Sequence, residues 1–301
     1  MATQPQYPAY LPVRPEGFNP TLDVPVFDTV EPGLRADPGM PESFSSKAAL
    51  KNITPRVGTE IRSLQLSQLT PAGLDQVALL ASQRGVLVFR DQDFADIGPE
   101  RQLEIARHFG TLHKLVYADE KVGNLRDLLG SRTNHDLLHV DQNFTPNTPG
   151  VTTFWVLEIP AASGGGDTAF TSLTAAYNAL SPTFRDGLHR LKLLHTSASV
   201  GEVARVGQER ALKEAEPVLF VNPTIARQVV GYKSSESDLL LGFLHDHIRS
   251  LDFSCRVSWE KGTVVVWDQR TVAHSAVPDF KDGERRHMVR IIPYGSQPQP
   301  L

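Results

Sequence analysis

Three residues constrain the fold of this chain more than any others. His139 and Asp141 stand two apart in Leu138-His139-Val140-Asp141-Gln142, and His274 stands far downstream in Trp267-Asp268-Gln269-Arg270-Thr271-Val272-Ala273-His274-Ser275. Two imidazoles and one carboxylate are the donor set that holds non-haem Fe(II) on one face and leaves the other coordination positions open. If the three serve one ion, the fold must bring a late segment back to an early one. Side chains at i and i+2 of a strand share a face, so His139 and Asp141 can reach one ion from a short strand or its frayed end. Residues 117–132 are polar and turn-rich and 145–150 form a turn cluster, which places the pair at a strand end near a cavity mouth. Taken alone, an H-x-D pair is weak evidence, because a surface histidine beside a solvated aspartate spells the same letters.

The C-terminal third adds to the argument. Lys261-Gly262 is a turn, and Thr263-Val264-Val265-Val266-Trp267-Asp268 is a β-branched run that reads as a buried strand. Residues 286–294 read as a core strand carrying cations at Arg286 and Arg290, which are four apart and share a face. An arginine turned into an apolar interior is costly unless an anion meets it. A carboxylate or sulfo-oxyanion held in a bidentate pair satisfies it. Arg285 alternates with Arg286 and is expected to face solvent.

Elsewhere the sequence reads as an ordinary globular protein. Its 301 residues are 40% hydrophobic and 21% charged, enough for one sizeable core. The net charge of -4 has mixed signs along the chain, so no nucleic-acid partner is expected. The single cysteine, Cys255, excludes an intrachain disulfide and reads as a core thiol. Residues 1–15 hold no apolar signal segment and no run reaches transmembrane length, so a cytoplasmic protein with no membrane association is expected. Residues 1–50 carry nine prolines and read as an arm that wraps the core or is partly disordered; residues 51–301 read as the domain.

Within that domain, helices are expected over 71–84, capped by Thr70, and over 100–109, 173–180, 182–191 and 235–250. The last of these is assigned an apolar stripe of Leu239, Leu240, Phe243, Leu244 and His247. His245 and His247 are i and i+2 on that helix and cannot both face one ion. Short strands between helices, with ligands split along the chain, fit a mainly β double-stranded β-helix (jelly roll) with flanking helices better than a parallel α/β sheet. Phe154 and Trp155 alternate on a strand, one toward the core and one toward the site; Trp267 reads as core. Gln142 and Asn143 are close enough to the ligand pair to act as supporting donors.

Several runs, in one order over most of 55–295, carry a resemblance. They are Arg84-Gly85-Val86-Leu87-Val88-Phe89-Arg90-Asp91-Gln92, His108-Phe109-Gly110-Thr111-Leu112-His113, His139-Val140-Asp141, Gly165-Gly166-Asp167-Thr168, Leu219-Phe220-Val221-Asn222, Trp267-Asp268-Gln269-Arg270, and His274 through Arg290. Together they resemble the taurine dioxygenase family of Fe(II)- and 2-oxoglutarate-dependent dioxygenases, and within it most resemble the fungal sulfonate enzymes.

The resemblance implies an oxidoreductase that uses Fe(II), 2-oxoglutarate and O2 and acts on a small organosulfur substrate in sulfonate catabolism. The carbon next to a sulfonate or sulfate is hydroxylated, and sulfite or sulfate, an aldehyde, succinate and CO2 are released. It assigns His139, Asp141 and His274 to the iron, Thr168 and Arg286 to the cosubstrate, and Arg290 to the sulfur oxyanion. His113 and Tyr117 are expected to line the substrate pocket.

The sequence also departs from the family. Leu115 stands where bacterial taurine enzymes carry a second histidine on the sulfonate, which weakens the case for taurine itself. The chain passes straight from Ala215-Glu216-Pro217 to Val218-Leu219-Phe220-Val221-Asn222, so one strand near residue 216 is expected to be missing. Other substrates on the same scaffold (an aryloxyalkanoate or a purine), a zinc hydrolase with the same ligands, and an inactive truncated member stay open at this point. Homo-oligomer formation is unconstrained.

Overall fold

The computed structural model describes residues 28–44, 48–112, 138–143, 147–160, 164–189, 191–195, 218–281 and 284–297. Its architecture follows from strands that bury both faces. β3 (Val86–Phe89) and β9 (Val264–Asp268) pair antiparallel at the middle of a six-stranded sheet of order β1-β2-β3-β9-β4-β11. Leu87, Phe89, Val264 and Val266 join Leu74 and Val77 of α1 (Pro71–Arg84) in one apolar cluster. Val86, Val88, Val265 and Trp267 join Phe170, Cys255 and Val257 in another. These two strands are therefore unbroken apolar runs, as expected of strands covered on both sides. Each fully buried valine or phenylalanine contributes roughly 1.5–3 kcal/mol by leaving water.

The remaining strands of that sheet are β1 (Ala49–Asn52), β2 (Thr59–Arg62), β4 (Val151–Glu158) and β11 (His287–Ile291). A second sheet of order β10-β5-β8 packs on the Val265–Trp267 side and contains β5 (Thr168–Ser172), β8 (Ser254–Val257) and β10 (Val272–Ala276). Mainly β with flanking helices, it is a jelly roll as the sequence indicates.

Local chemistry sets the helix ends. Thr70 accepts a hydrogen bond from the Gly73 N–H at 3.0 Å and Pro71 opens α1. Gly85 ends it at φ +72, where a Cβ would lie 2.7 Å from Val272 Cγ2. α2 (Pro99–His108) closes through Phe109. Residues 28–44 pack against this end of the molecule: Arg35 donates to Asp75 at 2.6 Å, and Gln76 accepts from the Ser43 N–H at 2.9 Å.

A third cluster flanks the second sheet. It joins α3 (Leu173–Ala179), the β6–β7 pair (Leu193–His195 and Ala226–Val229) and α5 (Ser234–Ile248), and it includes Leu138, Val140 and Ala273 beside the metal-ligand positions. The short helix α4 (Pro182–Leu188) lies between α3 and β6 and stops earlier than 191.

Two expectations are corrected here. The buried face of α5 is Ser237, Leu241, Leu244 and Ile248, whereas Leu239 is 78% and Phe243 46% exposed. Ser237 turns that face inward by accepting from the Val229 N–H at 2.9 Å. His247 meets the Ala176 carbonyl at 2.7 Å. β11 is not a core strand: among the described residues it is the edge of the six-stranded sheet and every residue in it is half-buried, the burial expected of 286–294 beginning only at Ile292. β6 and β7 pair across the shortened region, while the segment around Glu216 lies outside the described residues. No helix among the described residues is long and apolar enough to cross a membrane.

Candidate metal centre

The main chain itself joins the two histidines. His139 N–H donates to the His274 carbonyl at 2.9 Å, and His274 N–H donates back to His139 at 2.8 Å. This single antiparallel bridge extends the second sheet beyond β10, and the two rings lie 4.4 Å apart. The chain then turns, with Gln142 at φ +41, so the pair does sit at a frayed strand end. Asp141 Oδ1 comes 3.5 Å from His139 Nε2, and Oδ2 comes 3.6 Å from His274 Nε2. One donor atom from each of the three lies within 4.8 Å of the others. Trp267 and Phe170 wall the His274 ring at 5.1 and 6.1 Å. Its Nδ1 is buried with no hydrogen-bond partner among the described residues, so packing orients that ring.

Electrostatics favour the metal-binding forms. Burial pushes Asp141 upward, but the Arg290 guanidinium and the hydrogen bond with His139 outweigh it and hold the carboxyl well below its usual range. Burial, assisted by His139 and Arg290, pushes His274 down to about 3 against the pull of Asp141. At neutral pH the set thus offers a carboxylate and a neutral His274 imidazole, the forms a metal requires.

Two further side chains grip Asp141. Arg290 Nη1 donates to Oδ2 at 2.6 Å, and Gln269 Nε2 donates to the same oxygen at 2.5 Å. Gln269 is fully buried. Its role was not read from the sequence, although the Trp267-Asp268-Gln269-Arg270 run upstream of His274 contains the signal. Asn143, expected as a supporting donor, instead accepts from Asn222 Nδ2 at 3.0 Å; the same amide also donates to the Val140 carbonyl at 2.9 Å. The Leu219-Phe220-Val221-Asn222 run therefore holds the ligand turn in place.

Beside this centre lies a half-buried cation. Arg286 Nε donates to the Gly166 carbonyl at 2.6 Å and Nη2 donates to Thr168 Oγ1 at 3.1 Å. Burial lowers its pKa to about 10, so it stays charged at neutral pH. Its hydrogen-bond partners among the described residues are neutral, and Asp167, the carboxylate that favours its charge, is already held by Arg256, so the guanidinium can take a further anion. Arg285 pairs with Glu158 at 3.0 Å with its side chain about half exposed, so Arg286 is the arginine that meets Thr168.

The Gly-Gly-Asp turn is braced from outside. Asp279 accepts from the Gly166 N–H at 2.9 Å, and Arg256 bridges Asp167 and Asp279 at 2.5 Å each. Gly165 and Gly166 both have positive φ, and a Cβ on Gly165 would lie 2.6 Å from Asp279 Oδ1. Trp259, which was also not singled out, donates its indole N–H to Thr168 Oγ1 at 3.1 Å. Phe154 lies opposite Arg290 and packs edge-on against Trp259 and Trp267; Trp155 is buried on the α1 side. His113, Leu115 and Tyr117 lie outside the described residues.

Comparison with known proteins gives the family. Residues 49–292 match the family model "Taurine catabolism dioxygenase TauD, TfdA family". The chain is 39% identical to the alpha-ketoglutarate-dependent dioxygenase cnsP of Penicillium expansum, over 98% of this chain and 88% of that one. It is 33% identical to the alpha-ketoglutarate-dependent sulfonate dioxygenase of Saccharomyces cerevisiae, over 97% of this chain and 79% of that one. The crystal structure of a taurine dioxygenase from Burkholderia xenovorans superposes with a TM-score of 0.69 at 26% identity, covering 84% of this chain and 92% of that one. A match over nearly the whole domain excludes the zinc-hydrolase alternative: the chain belongs to the TauD/TfdA family and is a non-haem Fe(II)- and 2-oxoglutarate-dependent dioxygenase.

Proposed function

We propose that this enzyme hydroxylates the carbon bearing a sulfonate or sulfate group of a small organosulfur molecule, in a reducing cytoplasm. His139, Asp141 and His274 hold the iron, and Gln269 keeps the carboxylate of Asp141 in place. Arg286 and Thr168 hold the distal carboxylate of 2-oxoglutarate. When bound, the iron supplies the redox chemistry that couples O2 to oxidation of cosubstrate and substrate; the protein orients the reacting C–H bond and excludes water.

The observation that carries the reading is Arg290. Asp141 and the near carboxylate of 2-oxoglutarate balance the iron, and the distal carboxylate balances Arg286. Arg290, which gives one N–H to Asp141 at 2.6 Å, is then the remaining cation at the centre among the described residues, and its other guanidinium donors have no partner among them. A mono-anionic sulfonate or sulfate ester matches both its charge and its planar fork. Once hydroxylated, the carbon collapses to a carbonyl: the hydroxyl proton leaves, and the bond to sulfur (or to sulfate oxygen) breaks with its electron pair on the departing sulfite or sulfate. The sulfonate activity named for the yeast relative supports the same substrate class.

The test is succinate release with Fe(II), 2-oxoglutarate and a panel of sulfonates, sulfate esters, aryloxyalkanoates and purines. Alkyl sulfonates or sulfate esters with an apolar tail are expected to outrun taurine. Leu115 offers no polar contact where taurine enzymes carry a histidine, and one lost charge-assisted hydrogen bond is worth about 1.5–3 kcal/mol, or roughly ten-fold or more in binding. Faster turnover of an aryloxyalkanoate or a purine than of every sulfur oxyanion would overturn the proposal.

A further inference from the structure

We propose that Trp259 is a positioning residue for the cosubstrate: its indole fixes the Thr168 hydroxyl as a hydrogen-bond donor aimed at the distal carboxylate of 2-oxoglutarate. The inference rests on the reading of Thr168 and Arg286 given above. A threonine hydroxyl has two acceptor lone pairs and one proton. Here both lone pairs face donors, Trp259 Nε1–H at 3.1 Å and Arg286 Nη2–H at 3.1 Å. Neither partner can accept, because an indole N–H and a guanidinium only donate. The hydroxyl proton is thereby turned away from both, and no described residue accepts it. Thr168 is only 2% exposed, so a buried donor waits for an acceptor beside the half-buried Arg286 guanidinium. A carboxylate laid across Arg286 supplies that acceptor.

Tryptophan is needed at 259 for its N–H as well as its ring. Trp259 stands just past β8, where Val257 pairs with Thr168, and it packs edge-on against Phe154 at 5.1 Å. A phenylalanine could fill the same apolar space. The contrast is Trp267, whose buried Nε1 has no partner among the described residues; that indole serves as packing. Without the Trp259 donor, the Thr168 hydroxyl regains its rotation, and the carboxylate meets a donor that must first be ordered.

The experiment compares two ligands on the Fe(II)-loaded protein without O2, by calorimetric titration. One is 2-oxoglutarate; the other is 2-oxobutyrate, which keeps the 2-oxo acid group and lacks the distal carboxylate. Trp259→Phe is expected to weaken 2-oxoglutarate about five-fold, the size of one ordinary hydrogen bond, and to leave 2-oxobutyrate unchanged. That unchanged binding also shows that the variant is folded. Thr168→Val should do the same, and the double variant should be no weaker than Thr168→Val alone, since both changes remove one device. Wild-type binding of 2-oxoglutarate by Trp259→Phe, equal weakening of both ligands, or losses that add in the double variant would each overturn the inference. If Thr168→Val and Arg286→Lys both bind 2-oxoglutarate like wild type, the underlying cosubstrate reading falls instead, and this inference falls with it.

Discussion

At the scale of single residues, the centre is defined by contacts that a point change removes cleanly. His274→Ala deletes one of three donors without touching the backbone bridge to His139. Fe(II) binds the native state and should raise the thermal midpoint of the wild-type protein. In His274→Ala that rise should vanish, together with succinate release, while the metal-free circular dichroism spectrum stays native. A variant that keeps the Fe(II)-dependent shift would remove His274 from the site. For the cosubstrate, Arg286→Lys keeps the charge but loses the planar fork that spans Gly166 and Thr168. Its apparent 2-oxoglutarate requirement should rise about ten-fold or more. Arg285→Lys, on the solvent side with Glu158, should be nearly silent, and the reverse ranking would place the cosubstrate on the other arginine.

At the scale of elements, α5 shows what a helical pattern can and cannot say. Leu239, Leu240 and Leu241 are consecutive, so the period alone leaves the choice of face open. The packed stripe begins at a serine, Ser237, because that hydroxyl accepts a β7 backbone N–H. Leu241→Ala should therefore cost about 2–5 kcal/mol in a denaturant titration, and Leu239→Ala less than about 0.5 kcal/mol; equal effects would return the stripe to its expected position. α1 was fully legible because its signals are local: Thr70 as cap, Pro71 in the first turn, Gly85 at positive φ. The ligand set was legible for a similar reason, as residue types tied to short motifs. Gln269 and Trp259 were not, because a buried glutamine and an aromatic residue beside a turn acquire a role only when a distant strand supplies Asp141 or Thr168. Edge placement of β11 likewise depends on which strand it pairs with, and its alternation carries no such information.

At the scale of the whole molecule, a charged chain ties the N-terminal segment to the strand that leads into the site. Asp268, at the end of β9, is buried and receives Arg270 at 2.7 Å, and Arg270 also reaches Glu31 at 2.5 Å. Burial pushes the Asp268 carboxyl up, but Arg270 more than compensates and leaves it below its ordinary value. A carboxyl with a depressed folded pKa contributes stability that is complete above its unfolded value, near ~3.9, and is lost as pH falls through the folded one. Asp268→Asn should thus cost about 1–3 kcal/mol at neutral pH, because Arg270 loses one of its two carboxylate partners and keeps Glu31. It should also flatten the acid limb of stability against pH; an acid limb as steep as wild type would exclude this pair from it. The bridge between His139 and His274 has a different kind of consequence. Successive residues of a strand face opposite ways, so a slip of one position beside β10 would turn one imidazole away from the other two donors. A misregistered chain would then lack a complete ligand set, and iron uptake would act as a check on strand register, selecting molecules whose closure is correct.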